Sequence, residues 1–98
     1  MSSNLEPVLE EIISHLNKLH EMVIATLGQS IKAFEDFNID LAEQAMETST
    51  DIENLHHTIE DMAFGAISVF QPQDIDIRRL VAYIHTSCLL YTSDAADE

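Results

Sequence analysis

Apolar residues recur with a helical spacing along most of this chain, and the pattern is clearest in its middle third. There the stripe alternates steps of four and three residues and has one polar member, Thr48. Its positions are Leu41, Ala45, Thr48, Ile52, Leu55, Ile59, Met62, Ala66 and Val69. This spacing places one apolar stripe on one side of an α-helix. The pattern predicts a helix over about 39–70 with a single buried face.

The helical pattern stops at Gln71-Pro72 and starts again as QDIDIRRL. Proline has no amide hydrogen and disfavours helical dihedral angles at the residue before it, so the helix must end here. Asp74 or Asp76 can then cap a new helix. We predict a third helix over about 74–87, joined to the second by a tight corner.

A first helix over about 5–37 follows from the same alternation of spacings. Its stripe positions are Leu5, Leu9, Ile12, Leu16, Leu19 and Val23. Leu27, Ile31 and Phe34 continue this stripe only if the register slips near Thr26. Gly28 lies just past the slip, where the missing side chain permits close approach of another helix.

The connections between these helices set the fold class. Asn38 is a good cap for the second helix, which leaves only a few residues after Phe37 for the connection. Short connections make neighbouring helices antiparallel. The sequence therefore predicts an all-α fold, an antiparallel three-helix bundle with long helices.

Composition and charge exclude several classes of function. The chain has 98 residues and a net charge of -14, from 18 acidic and 4 basic residues. Such a charge repels nucleic acids and anionic lipid headgroups. No apolar run is long enough to span a membrane, and the start MSSNLEPVLEE lacks the features of a signal peptide. We expect a cytoplasmic protein with no nucleic-acid partner and no direct membrane insertion.

No arrangement of residues in the sequence indicates catalysis. The 2 glycines form no phosphate-binding loop, and no serine lies in a glycine-flanked elbow. We therefore expect that the protein is not an enzyme.

The sequence also gives only weak evidence for a metal-binding site. His56 and His57 are adjacent, so on a helix they point about 100° apart and cannot share a metal without outside ligands. We expect both to face solvent. Glu11 and His15 supply only two ligands, which makes a weak site. Two pairs of glutamates lie off the apolar stripe: Glu43 with Glu47, and Glu53 with Glu60. We expect them to be solvated, and the alternative is that they bind a peripheral divalent cation.

The segment LAEQAMETSTDIENLHHTIE, about a dozen mostly apolar residues and then QPQDIDIRR together resemble the first half of the PhoU family of phosphate-uptake regulators. The Gln-Pro corner is the most specific part of this resemblance, which covers about residues 5–87. The matching positions are Asp51, Ile52, Leu55, Ile59, Glu60, Gln71, Pro72, Asp76, Ile77 and Arg78. The resemblance implies the first three-helix repeat of a six-helix protein, with the third helix truncated.

By this resemblance, the protein is an adaptor that links a phosphate ABC transporter to a sensor histidine kinase and restrains the phosphate-starvation response. The family also implies a homodimer and bound divalent or trivalent metal ions, such as iron, manganese, magnesium or zinc. Its metal motif falls at Tyr91 and Ala95, which are not acidic. We therefore expect no metal or other cofactor in this fragment. A generic acidic helical-bundle or coiled-coil interaction module is the alternative.

Six residues form the motif that we expect to have a structural or partner-binding role. They are Asp51, Glu60, Gln71, Pro72, Asp76 and Arg78. For Arg78 we favour an internal ion pair with Asp74, and the alternative is a bidentate contact with a partner's carboxylate.

The last eleven residues, CLLYTSDAADE, do not continue the preceding pattern. They resemble the translation of a transposase-end adapter used for sequencing libraries, read through in frame. We expect 88–98 to be a non-native tail and 1–87 to be the helical repeat. Without the tail the chain has no cysteine. The alternative is a natural C-terminus that frays.

Overall fold

The computed structural model describes residues 2–97 and the side chains of residues 5–94. Three helices follow in order: α1 (Ser2–Asp36), α2 (Ile39–Phe70) and α3 (Asp74–Asp97). Each helix contacts both of the others, and the particle measures 54 × 17 × 16 Å. The long dimension equals the rise of one helix of about 35 residues. The predicted all-α three-helix bundle is confirmed.

The two connections are tight because a residue at each helix end adopts a left-handed backbone. After α1, Phe37 has a φ of 50°, and the N–H of Asn38 donates to the carbonyl of Ala33 at 3.0 Å. Asn38 then caps α2, since its side chain accepts from the N–H of Leu41 at 3.1 Å. The predicted cap at Asn38 is confirmed.

The buried stripe of α2 differs in part from the predicted one. Its fully buried members are Ala45, Ser49, Ile52, His56, Ile59, Ala63 and Ala66. A straight helix drifts by about 20° per heptad against a strict seven-residue repeat. By the end of the helix this drift turns Val69 out, where it is 74% exposed, and Phe70 packs against the core instead.

The register of α1 does not slip, contrary to the prediction. Thr26 and Ala33 continue the buried face, and Leu27, Ile31 and Phe34 are exposed. The helix thus keeps its repeat and buries small residues at this end. Among the described side chains, the hydroxyl of Thr26 is buried without a hydrogen-bond partner.

The third helix extends ten residues past its expected end at 87, to Asp97. Residues 88–97 contain no proline or glycine, so nothing in their backbone stops the helix. Leu90 and Tyr91 pack against the core. This helical conformation does not test whether 88–98 is native, which stays a prediction.

The expected close helix approach at Gly28 is wrong, because a Cβ added there meets no atom within 4 Å. We expect Gly28→Ala to raise the free energy of unfolding by about 0.5–1 kcal/mol, since alanine loses less backbone entropy in a helix. Urea denaturation followed by circular dichroism measures this change. Gly65→Ala, in equally open space on α2, is the matched variant. A loss of stability in both would contradict the open environment.

Candidate functional site

The Gln-Pro corner ends α2 as the sequence predicts. Gln71 is left-handed, with φ 45° and ψ 60°, and its N–H donates to the carbonyl of Ile67 at 3.2 Å. This bond satisfies one of the last carbonyl groups of the helix. Pro72 follows and prevents the helix from continuing.

Neither expected aspartate caps α3, and that prediction is wrong. The carbonyl of Gln73 accepts the first helical bonds, from the N–H groups of Asp76 at 2.9 Å and Ile77 at 3.0 Å. Asp74 and Asp76 lie inside the first turn. There their negative charges interact favourably with the positive end of the helix.

The ion pair at the corner is made by Arg79 and not by Arg78. Among the described residues, Arg78 is exposed and forms no pair with Asp74. Arg79 instead approaches Glu6 of α1 at 3.4 Å and Asp76 at 3.6 Å. A hydrogen bond with Tyr83, and then the charge of Glu6, raise the pKa of the Arg79 guanidinium. The side chains of Arg79 and Glu6 are 39% and 51% exposed, so their pair adds little stability.

The six predicted motif residues do not converge on one pocket. Asp51 is exposed on α2 and precedes Gln71 by twenty residues, about 30 Å along the helix. Glu60 lies between them and is half-buried. Of the corner residues, Gln71 and Pro72 act locally on the backbone, and Glu60 belongs to a different group of side chains.

That group lies between α2 and α3 and was missed by sequence reasoning. His56 is only 5% exposed, so the expectation that it faces solvent is wrong. Its Nδ1 lies 2.7 Å from the hydroxyl oxygen of Ser87 on α3. Its Nε2 lies 3.2 Å from Oε1 of Glu60. Both ring nitrogens thus have partners in a nearly dry interface.

His57 shares the same carboxylate from the solvent side. Its Nδ1 lies 3.3 Å from Oε1 of Glu60, and its Nε2 lies 3.8 Å from Oε1 of Glu53. The side chain of His57 is 58% exposed, as the sequence predicts. Glu60 therefore bridges two imidazole rings, and it is not a simple solvated face.

Two residues of α3 complete this interface. Tyr91 stacks on His56, with ring centroids 4.8 Å apart and planes 5° apart. Further along, the hydroxyl of Ser49 donates to the buried carboxylate of Asp94 at 3.2 Å. The sequence contains one pattern that could have indicated this polar interface. Ser49 and His56 are seven residues apart, like the buried pair Ala45 and Ile52, and they lie on the side of α2 that faces α3.

An apolar groove lies between α1 and α2 at the end of the bundle beyond Asp94. Its volume is about 640 Å³, and Phe34, Ala45, Met46 and Ser49 are among its lining residues. Phe34 is 81% exposed and Met46 is 65% exposed. Because Ser49 also bonds to Asp94, the groove begins beside the last turns of α3.

The metal motif implied by the resemblance does not fit the residues of this chain. Its two positions are Tyr91, which stacks on His56, and Ala95, which has no ligand atom. Asp94 lies out of register with that motif and accepts a bond from Ser49. No carboxylate stands at either position.

The fold defines a three-helix bundle with a Gln-Pro corner between its second and third helices. Residues 16–90 match the family model of the PhoU domain, which confirms the resemblance. The chain belongs to the PhoU family, which is associated with the regulation of phosphate uptake. No curated protein and no solved structure gives a significant match. Within residues 2–97, none of the helices is both long and apolar enough to cross a membrane.

The hydrogen bond between His56 and Ser87 gives a test of the buried interface. We expect Ser87→Ala to lower the free energy of unfolding by about 1–3 kcal/mol, because a buried ring nitrogen loses its partner. Thr86→Ala is the matched control, since that exposed hydroxyl bonds only to the carbonyl of Ala82. Urea denaturation of both variants compares the losses. Equal losses would show that His56 does not depend on Ser87.

Proposed function

We propose that this chain is the first repeat of a phosphate-uptake regulator. It acts at the cytoplasmic face as an adaptor that links a phosphate ABC transporter to a sensor histidine kinase, and it restrains the phosphate-starvation response. The match of residues 16–90 to the PhoU domain is the observation that carries this proposal. The Gln71 corner, formed as the resemblance implies, supports it further.

The proposed mechanism is contact between proteins and not catalysis. The surface combines a net charge of -14 with exposed large apolar side chains, which is typical of a protein that binds others. Arg78 is exposed at the corner and forms no ion pair among the described residues. It is thus available for a carboxylate of a partner. We further propose that the complete protein is a homodimer.

A generic helical interaction module remains the second candidate. The regular stripe of α2 favours it, because such a stripe suits any helical bundle. The Gln-Pro corner and the family match favour the regulator. The two candidates differ in partners: only the regulator requires a transporter or a kinase.

We propose that the groove between α1 and α2 is covered by the native continuation of α3. The groove starts at Ser49, beside Asp94 of α3, so a longer third helix would enter it. α1 has 35 residues and the described part of α3 has 24, so the described α3 does not extend along the far end of α1. The resemblance of 88–98 to an adapter sequence supports a different native continuation.

Co-purification tests the adaptor role. The complete protein, tagged in its source cell under high-phosphate growth, is expected to retain components of the transporter or of the kinase. Mass spectrometry identifies what is retained. The matched variant Arg78→Glu reverses the charge at the corner, and we expect it to weaken retention. If neither component is retained, the chain is a generic module.

Substitutions in the groove test its occupant. We expect Met46→Glu to destabilise a chain that carries the native residues past Ser87 by about 1–3 kcal/mol, because the charge would be buried. The 98-residue chain should tolerate the same change. Ile75→Glu, at a residue that is 70% exposed outside the groove, is the control.

Other occupants give different results in the same experiment. If a second copy fills the groove, Met46→Glu dissociates a dimer of the 98-residue chain in analytical ultracentrifugation. If a partner protein fills it, the substitution abolishes co-purification and leaves the stability of the extended chain unchanged. Either result contradicts the continuation of α3 as the occupant.

A further inference from the structure

Three potential metal ligands converge on one turn of α2. His56, His57 and Glu60 each offer one ligand atom, and these atoms lie within 4.8 Å of one another. Oε1 of Glu60 is 3.2 Å from Nε2 of His56 and 3.3 Å from Nδ1 of His57. Neighbouring ligands of a tetrahedral zinc ion are about 3.3 Å apart when the bonds are about 2.0 Å. The distances from Glu60 to the two histidine nitrogens therefore already have this length, and only the distance between the two histidine nitrogens remains.

The angle between adjacent helix positions does not prevent this arrangement, contrary to the sequence argument. Glu60 lies four residues after His56 and three after His57, so it stands on the helix surface between them. The two rings are tilted by 42°, with centroids 5.3 Å apart. The ligand atoms of the two histidines lie within 4.8 Å of each other, and a small rotation of the His57 ring, whose side chain is 58% exposed, would shorten this distance.

Each histidine also has a partner on the nitrogen that faces away from Glu60. Nδ1 of His56 lies 2.7 Å from the oxygen of Ser87, and Nε2 of His57 lies 3.8 Å from Glu53. When Nδ1 of His56 carries its hydrogen and donates to Ser87, Nε2 presents a lone pair toward Glu60. Histidines that bind metals show this kind of outer hydrogen bond. Nε2 of His57 lies too far from Glu53 for a hydrogen bond and makes only an ion-pair contact. The bond to Ser87 is independent of the convergence of the three ligands.

We propose that Nε2 of His56, Nδ1 of His57 and Oε1 of Glu60 bind one divalent transition-metal ion of the zinc type. Two imidazoles and one carboxylate suit zinc, cobalt or nickel better than magnesium or calcium, which prefer oxygen ligands. Three protein ligands leave one tetrahedral position for water on the exposed side of His57.

The ligand residues of this site differ from the positions of the metal motif implied by the resemblance. That motif falls at Tyr91 and Ala95 of α3, whereas these ligands belong to α2. None of the proposed ligands lies in 88–98. That segment supplies only the ring of Tyr91, which stacks on His56, and the inference does not rest on the proposed role in phosphate uptake.

The buried side of the site fixes its geometry. His56 is 5% exposed and is held by Ser87 from α3, so binding couples two helices. The ion would neutralise part of a surface whose net charge is -14. Magnesium in excess suppresses weak binding elsewhere on this acidic surface and leaves a site with two imidazoles occupied.

Titration of the 98-residue chain with zinc in excess magnesium tests the proposal, with calorimetry as the readout. Cobalt serves as a second probe, because its visible absorption reports tetrahedral nitrogen and oxygen ligands. We expect one ion per chain. His57→Ala and Glu60→Gln should each weaken zinc binding by roughly tenfold or more, and Ser87→Ala by roughly 10–100-fold as a positioning residue.

His15→Ala is the matched control, because His15 and Glu11 form a pair of the same spacing at 4.0 Å without a second histidine. It should leave zinc affinity unchanged. His57 is exposed, so its variant keeps the fold, which circular dichroism verifies. The proposal is overturned if zinc does not bind, if His57→Ala binds as tightly as the parent chain, or if His15→Ala weakens binding equally.

Discussion

The fold depends on one helix that is buried along two flanks. α2 contacts both α1 and α3, and its core positions Ile52 and Ile59 are fully buried. A helix that packs against two other helices needs a wider buried face than a helix in a two-stranded coiled coil. The row with Ser49 and His56 widens it toward α3. This row gives α3 a polar surface on α2, in addition to its contacts with α1.

Much of the fold could be predicted from the sequence because each feature has a local cause. The Gln-Pro corner ends α2 since proline removes a hydrogen bond, and Asn38 caps the helix through its own side chain. The stripe of α1 is a simple repeat. Long-range packing was less predictable: Thr26 is buried and Leu27 is exposed because of how α1 lies against its neighbours, which no local pattern encodes.

The polar interface could not be predicted from single residues. A histidine next to another histidine on an acidic helix gives no sign of burial, and the approach of Ser87 and Tyr91 from α3 makes His56 an interior residue. The same limit applies to Arg78 and Arg79. Adjacent arginines look equivalent in sequence, but the position of Glu6 on α1 selects Arg79. Contacts between helices decide both cases.

Because the helices have unequal lengths, local stability differs between the two ends of the bundle. Near the Gln71 corner all three helices pack together. Toward Phe37 the described residues provide only α1 and α2, with an open groove between them. Segments with few buried contacts open at lower free-energy cost than the core. In this 98-residue chain, amide hydrogens near Phe37 therefore exchange faster than those around Ile59, and this end can rearrange while the core stays folded.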